Sequence, residues 1–189
     1  MIPRRSFQII ALCLGLVLLF AASAQTPDLS KVPGVVINHI PASEGRYVGS
    51  PSIAILPDGA YAASHDEFGP KSQYFTGAIV NVFRSEDRGK TWEQSARIEG
   101  SLWPTLFVHR GALYLLGVDK EYGPVLIRRS DDGGRTWTGP KDDSTGVLRP
   151  EDYHTAPVPV LIHNGRIWRG VERAATPGKW GVIYQATVM

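Results

Sequence analysis

The chain has one cysteine, Cys13, and two methionines in 189 residues. A lone cysteine excludes a disulfide framework, and a thiol nucleophile is excluded if that cysteine leaves with a leader. Long apolar stretches are also missing. Ile9 to Phe20 is the one such run, and a dozen residues is short of the roughly 20 a membrane span needs. Beyond it no apolar pattern repeats at 3.6 residues, so no helix is expected there. The sequence has no phosphate-binding loop, no Gly-x-Ser-x-Gly, no His-Glu-x-x-His and no zinc-ligand spacing. Neither a metal nor a cofactor is expected.

Residues 1–24 combine Arg4 and Arg5, the apolar run and Ala22-Ser23-Ala24. This is the layout of a secretory signal peptide, with cleavage before Gln25 and a secreted or periplasmic destination. The full chain carries a formal charge of +2 from 20 basic and 18 acidic residues. Losing Arg4 and Arg5 leaves 18 of each and a neutral chain, which gives no electrostatic case for nucleic acid or for a membrane surface after cleavage. Residues 25–46, with Pro27, Pro33 and Pro41, read as an extended lead-in.

What is present is a repeat. Ser85-Glu86-Asp87-Arg88-Gly89-Lys90-Thr91-Trp92 recurs as Ser130-Asp131-Asp132-Gly133-Gly134-Arg135-Thr136-Trp137, 45 residues on. Each copy follows a β-branched run, 78–84 and 124–129, that reads as a strand. The Asp can accept turn amides, the Gly permits positive φ, and the Trp opens a return strand and covers the hairpin. A second repeat consists of apolar hairpins with turn glycines at 59, 111 and 165. Pro57-Asp58-Gly59 and Asn164-Gly165 are strong hairpin signals. One hairpin of each kind makes a four-stranded antiparallel unit, and such units are propeller blades.

The octapeptide, with Ser85, Asp87, Gly89, Trp92 and their counterparts Ser130, Asp132, Gly134, Trp137, resembles the Asp-box, or bacterial neuraminidase repeat, of the sialidase-like β-propellers. The resemblance implies an all-β propeller of six blades. About three are expected here: blade 1 over 50–98, blade 2 over 102–142 and blade 3 over 153–189, together a partial propeller over 47–189. An unclosed propeller leaves blade edges open to self-association. It also implies a glycoside hydrolase whose carbohydrate or glycoconjugate ligand lies at the end of the blades away from the boxes. In that family the boxes are structural.

The loops assigned to that end carry His65, Asp66, Glu67, Arg46, Trp103, Tyr153, His154, Glu172 and Arg173. Aromatic faces stack on sugar rings, while carboxylates and guanidiniums hold hydroxyls and acids. The resemblance makes Asp66 or Glu67 the acid/base group and the others substrate-binding residues. Sialidases carry an Arg-Ile-Pro near the start of the first blade. Here Gly49-Ser50-Pro51 takes its place, with Gly49 at the Arg position and Arg46 nearby. The family's nucleophilic Tyr and its Glu belong to later blades, so this chain alone is expected to be inactive. A non-catalytic propeller that binds glycan or protein is the alternative.

Overall fold

The computed structural model describes residues 27–70, 78–175 and 184–189. The expected leader, and Lys71 to Thr76 and Thr176 to Trp180 of the expected loops, lie outside them. The described residues divide into two units, one up to Val32 and one from Pro33 onward. In the described part of the first, Leu29–Lys31 makes one turn of 3-10 helix, capped by the Asp28 side chain. The second begins with the rest of the lead-in, including another such turn at Ala42–Glu44, and its further regular elements among the described residues are strands.

The first sheet is β1 (Tyr47–Ile55), β2 (Tyr61–Phe68), β3 (Ile79–Ser85) and β4 (Glu93–Glu99), each antiparallel to the next. Its β1–β2 turn closes at Asp58-Gly59, where Gly59 has φ +85° and Ala60 N donates to Asp58 Oδ1 at 3.0 Å. The second sheet repeats the order with β5 (Leu102–His109), β6 (Ala112–Val118), β7 (Gly123–Ser130) and β8 (Val147–His154). Small and branched side chains of the first sheet, Ala62, Val80 and Val82, meet Leu106, Leu113 and Leu115 of the second in one buried layer. Polar bonds also join the sheets, among them Leu106 N donating to Ser52 Oγ at 2.9 Å and Ser95 Oγ to Gly134 O at 3.0 Å. Two four-stranded antiparallel units packed face to face are blades of an incomplete β-propeller, as the repeats imply.

Both octapeptides sit in the turn between the third and fourth strands, with one hydrogen-bond pattern. Ser85 Oγ donates to Asp87 Oδ1 at 2.8 Å, and Gly89 N donates back to Ser85 Oγ at 2.7 Å. Asp87 also accepts from Lys90 N, Thr91 N and Thr91 Oγ1. Trp92 Nε1 closes the loop on Gly89 O at 3.1 Å. Ser130, Asp132, Gly134, Arg135, Thr136 and Trp137 repeat every bond, none differing by more than about 0.1 Å. Arg84 ties this end together, bonding Asp58 in the β1–β2 turn at 2.6 Å and Gly133 O of the other loop at 3.4 Å.

The return after Trp137 differs from expectation. β4 starts directly after Trp92, whereas β8 starts ten residues past Trp137. An Asp142 turn intervenes, accepting from Ser144 N and Thr145 N, and Ile127 N reaches Gly146 O at 2.8 Å. The second blade therefore extends to His154, and Val147–His154 is its outer strand instead of a loop leading into a third blade.

The third unit is also divided. β9 (Leu161–His163) and β10 (Arg166–Trp168) form a separate hairpin on Asn164-Gly165, both at positive φ. β11 (Gly170–Ala174) and β12 (Tyr184–Val188) pair with each other, and β11 pairs with β8, giving a six-stranded sheet in the order β12-β11-β8-β7-β6-β5. Among the described residues, the expected blade over 153–189 thus has no four-stranded sheet of its own. The free edge of β8 has taken up the β11–β12 hairpin.

Candidate functional site

β2 runs away from the box end, and its eight residues carry the chain about 25 Å. His65, Asp66 and Glu67 lie near its far end, within the strand itself. A strand turns successive side chains to opposite faces, so Asp66 and Glu67 have separate surroundings.

Glu67 belongs to an ion-paired network. It accepts from Arg46 and, at 2.7 Å, from Asn81 Nδ2, while Arg46 also bonds Glu44. The acid/base alternative and the substrate-binding arginine are thus spent on each other. His65 stacks on Phe83 with ring centroids 5.3 Å apart and meets Asn38 Nδ2 through Nε2 at 2.9 Å. Burial pushes its pKa down.

Asp66 faces the second blade and is 0 % exposed. Its Oδ2 accepts from Trp103 N at 2.7 Å, and the Ser50 hydroxyl also bonds the carboxyl. Oδ1 has no partner among the described residues. Burial raises the pKa well above the ordinary carboxyl value, and the two donors do not offset it.

Both donors come from strained positions. Ser50 and Trp103 have φ of +51° and +49°, and each precedes a proline. Left-handed backbone is unfavourable for a residue with a side chain, and a following proline restricts it further. Each lies in a register shift of its blade's first strand, between Gly49 and Ser52 in β1 and between Leu102 and Thr105 in β5. Matching bulges in two blades therefore deliver their donors to one carboxyl. Strain of this kind costs about 1–3 kcal/mol per residue and collects at functional positions. The sequence offered one signal, the paired Ser50-Pro51 and Trp103-Pro104.

The second blade adds an aromatic group beside Asp66. The Trp103 ring stands edge-on to His154 at 4.6 Å, Tyr184 stacks on His154 at 5.3 Å, and Tyr122 lies 6.3 Å from it. His154 is at the end of β8, cross-strand from Glu172 of β11, and its Nδ1 lies 2.6 Å from Glu172 Oε2. Glu121, in the β6–β7 turn, is 8 % exposed with Oε2 unpartnered among the described residues. Burial raises its pKa, against the lowering effects of His154 and the Tyr122 hydroxyl.

The remaining expected residues divide. Tyr153 is buried in the apolar cluster with Leu102, Leu116 and Val171, so it serves the core. Arg173 is exposed and bonds Gln185 Oε1 at 3.2 Å. Tyr184 was outside the expected site, since the sequence around it, Val182 to Val188, offers only the β-branched content of a strand. Among the described residues no group of three or more His, Cys, Asp or Glu is placed to hold a metal ion.

No protein-family model matches the chain, and no curated protein matches it in sequence. Among solved structures it is similar to a Penicillium chrysogenum α-L-arabinanase complexed with arabinobiose, at 20% identity and TM-score 0.47, over 66% of this chain and 41% of that one. It is similar to the Trypanosoma rangeli sialidase at 16% identity and TM-score 0.39, over 62% of this chain and 19% of that one. A Hadza microbial sialidase, Hz136, gives 17% identity and TM-score 0.40 over 62% and 23% of the two chains. The chain thus spans less than half the length of each of these structures.

Proposed function

We propose that the chain is the N-terminal portion of a secreted or periplasmic sialidase-like glycoside hydrolase acting on glycans, with the two octapeptides as its Asp-boxes and residues 1–24 as its signal peptide. The observation that carries this reading is the convergence of two strained, pre-proline bulges on Asp66. A buried carboxyl kept protonated above its ordinary range is the state a general acid needs before it protonates a glycosidic oxygen. The aromatic side chains beside it suit a sugar ring.

A proton donor also needs a nucleophile or base across the scissile bond. Tyr122 bonds Glu121, but burial first, with the Tyr184 and Glu121 contacts, pushes its hydroxyl above the ordinary phenol value. That is opposite to what a phenolate nucleophile requires. The chain by itself is therefore expected to be inactive. Purified protein incubated with a panel of 4-methylumbelliferyl glycosides should release no fluorophore above the rate of a boiled control. Turnover that disappears in Asp66→Asn would overturn the inactivity.

The complete burial of Asp66 favours one other reading, a propeller that binds glycan or protein without cleaving it. Glycan-array binding by a catalytically silent full-length protein, unaffected by Asp66→Asn, would select that reading.

A further inference from the structure

Glu121 is a buried carboxyl for which the reading above has no use. Its Oε2 lies in the interior with no donor among the described residues, and an unmet buried acceptor costs stability unless something supplies the proton. Around it, the Tyr184 hydroxyl reaches the Tyr122 hydroxyl at 3.4 Å, and the Tyr122 hydroxyl bonds Glu121. Next to these, His154 directs Nδ1 at Glu172. An imidazole that donates from Nδ1 keeps Nε2 as an acceptor while neutral. The Trp103 and Tyr184 rings flanking it are only partly buried. The ensemble offers aromatic surface and hydroxyl acceptors side by side.

The charge balance narrows the ligand. Glu121, Glu172 and Asp66 supply three carboxyls. The described guanidiniums in reach by register are committed elsewhere: Arg46 to Glu67 and Glu44, Arg169 to Thr105, Thr155, Ala156 and Val158, and Arg173, one residue out of phase with Glu172, to Gln185. Lys120, beside Glu121, is paired with Asp119 at 3.3 Å, so a ligand carboxylate here would meet the Glu172 carboxylate and no uncommitted guanidinium among the described residues, and would itself have to be partly desolvated. A ligand rich in hydroxyls, with an apolar ring face and no negative charge, meets every feature.

We infer that Trp103, Tyr122, His154 and Tyr184, with Glu121 and Glu172, form a sugar subsite beside Asp66 that takes an uncharged glycan unit and rejects an acidic one. The inference rests on the glycan reading and adds the substrate class to it. Titration calorimetry and saturation-transfer NMR on the full chain, with lactose, cellobiose, xylobiose, arabinobiose and sialyllactose as probes, test it. At least one neutral disaccharide should bind about tenfold or more tighter than sialyllactose. Glu121→Gln and Tyr184→Ala should each weaken that binding by about tenfold, equivalent to about 1.4 kcal/mol. Asp131→Asn, an exposed control at the opposite end of the blade that pairs with Arg129, should leave it within about twofold. Thermal melts of each variant identify any that fails to fold, and Glu121→Gln, being isosteric, keeps the test intact if Tyr184→Ala does not fold. Sialyllactose bound as tightly as the best neutral sugar, or neutral binding unchanged in folded Glu121→Gln, overturns the inference. Binding lost in Asp66→Asn but retained in Glu121→Gln removes this subsite and leaves the glycan reading standing. Absence of binding to every probe removes both.

Discussion

Asp66→Asn should change how stability depends on pH, in a direction the burial of Asp66 fixes. Two donors stabilise the charged form, and each charge-assisted hydrogen bond contributes about 1.5–3 kcal/mol. Against them stands removal of the whole carboxylate from water, which costs several kcal/mol per ion even after relaxation. Desolvation prevails, and the folded-state pKa lies above the unfolded one. As pH rises past the ordinary value of 3.8, the unfolded chain releases a proton that the folded chain retains. Wild-type stability then declines relative to Asp66→Asn by about 1.4 kcal/mol per pH unit until the folded-state pKa is reached, and is constant above it. The amide keeps an acceptor for Trp103 N and has no proton to lose. Urea unfolding followed by tryptophan fluorescence, at half-unit steps from pH 4 to 8, gives the difference directly. Glu121, raised in the same direction, contributes to both proteins and cancels. Asp87 and Asp132 are held below the ordinary value, so their contribution is lost only as pH falls below 3.8. A difference that is flat between pH 4 and 6, or that grows in favour of wild type, would refute the reasoning.

Three further outcomes follow from the same geometry. Asp132→Ala removes the acceptor for Ser130 Oγ, Arg135 N, Thr136 N and Thr136 Oγ1; by comparison with helix-cap losses it should cost about 1–2 kcal/mol in urea unfolding, with glycan affinity unchanged because the loop is at the other end of the blade. Gly117→Ala would place a Cβ 2.7 Å from Leu102 O and 2.8 Å from Pro104 Cα, so it should displace the β5 bulge and lower both the melting temperature and any sugar affinity, as differential scanning fluorimetry and calorimetry would show. Arg169 is 2 % exposed and holds Ala156 O and Val158 O at 2.6 Å each; Arg169→Met removes both bonds, but Val158 N still reaches Ala156 O and Thr105 Oγ1 still reaches Val158 O, so the loss should be about 1 kcal/mol per bond, partly offset by no longer burying a charge, and faster amide exchange should be confined to β9 and β10.

What could be read from the sequence was what local chemistry dictates. The octapeptides were legible because the bonds that close each loop run between residues at most four apart, so the residue types alone specify the loop. Asn164-Gly165 was legible because both residues take positive φ, which few residue pairs accept. β8 was not, since Val147-Leu148-Arg149-Pro150-Glu151-Asp152 is mostly exposed and includes a proline, leaving no apolar alternation to detect. Ser64-His65-Asp66-Glu67 looked like a loop for a related reason. Four polar residues in sequence are buried only because another blade and the lead-in cover them, and Asn38 and Trp103, which make those contacts, are distant in the chain. Tyr184 reached the site through β11 and β12 joining β8, a pairing between edges that no local pattern encodes.

The two ends of a blade use the same side chain in opposite ways, and the number of donors decides which. Asp87 and Asp132 each accept four hydrogen bonds from their own loops, which hold them ionised and close the turn. Asp66 receives one backbone amide and one hydroxyl, both from other strands, and is sealed from water. A loop of eight residues can satisfy a carboxylate locally, which suits a stable hinge between strands. A carboxyl that must retain its proton has to be denied donors and solvent together, and only the packing of one blade on the next can do that. The left-handed Ser50 and Trp103 are where this packing is enforced. Their strain has no counterpart in the four-donor loops beyond Arg88, whose φ of +62° adjoins the Gly89 turn. On the proposed reading, the octapeptide end is scaffold and the end that carries Asp66, Trp103 and Glu121 is where chemistry is to be sought.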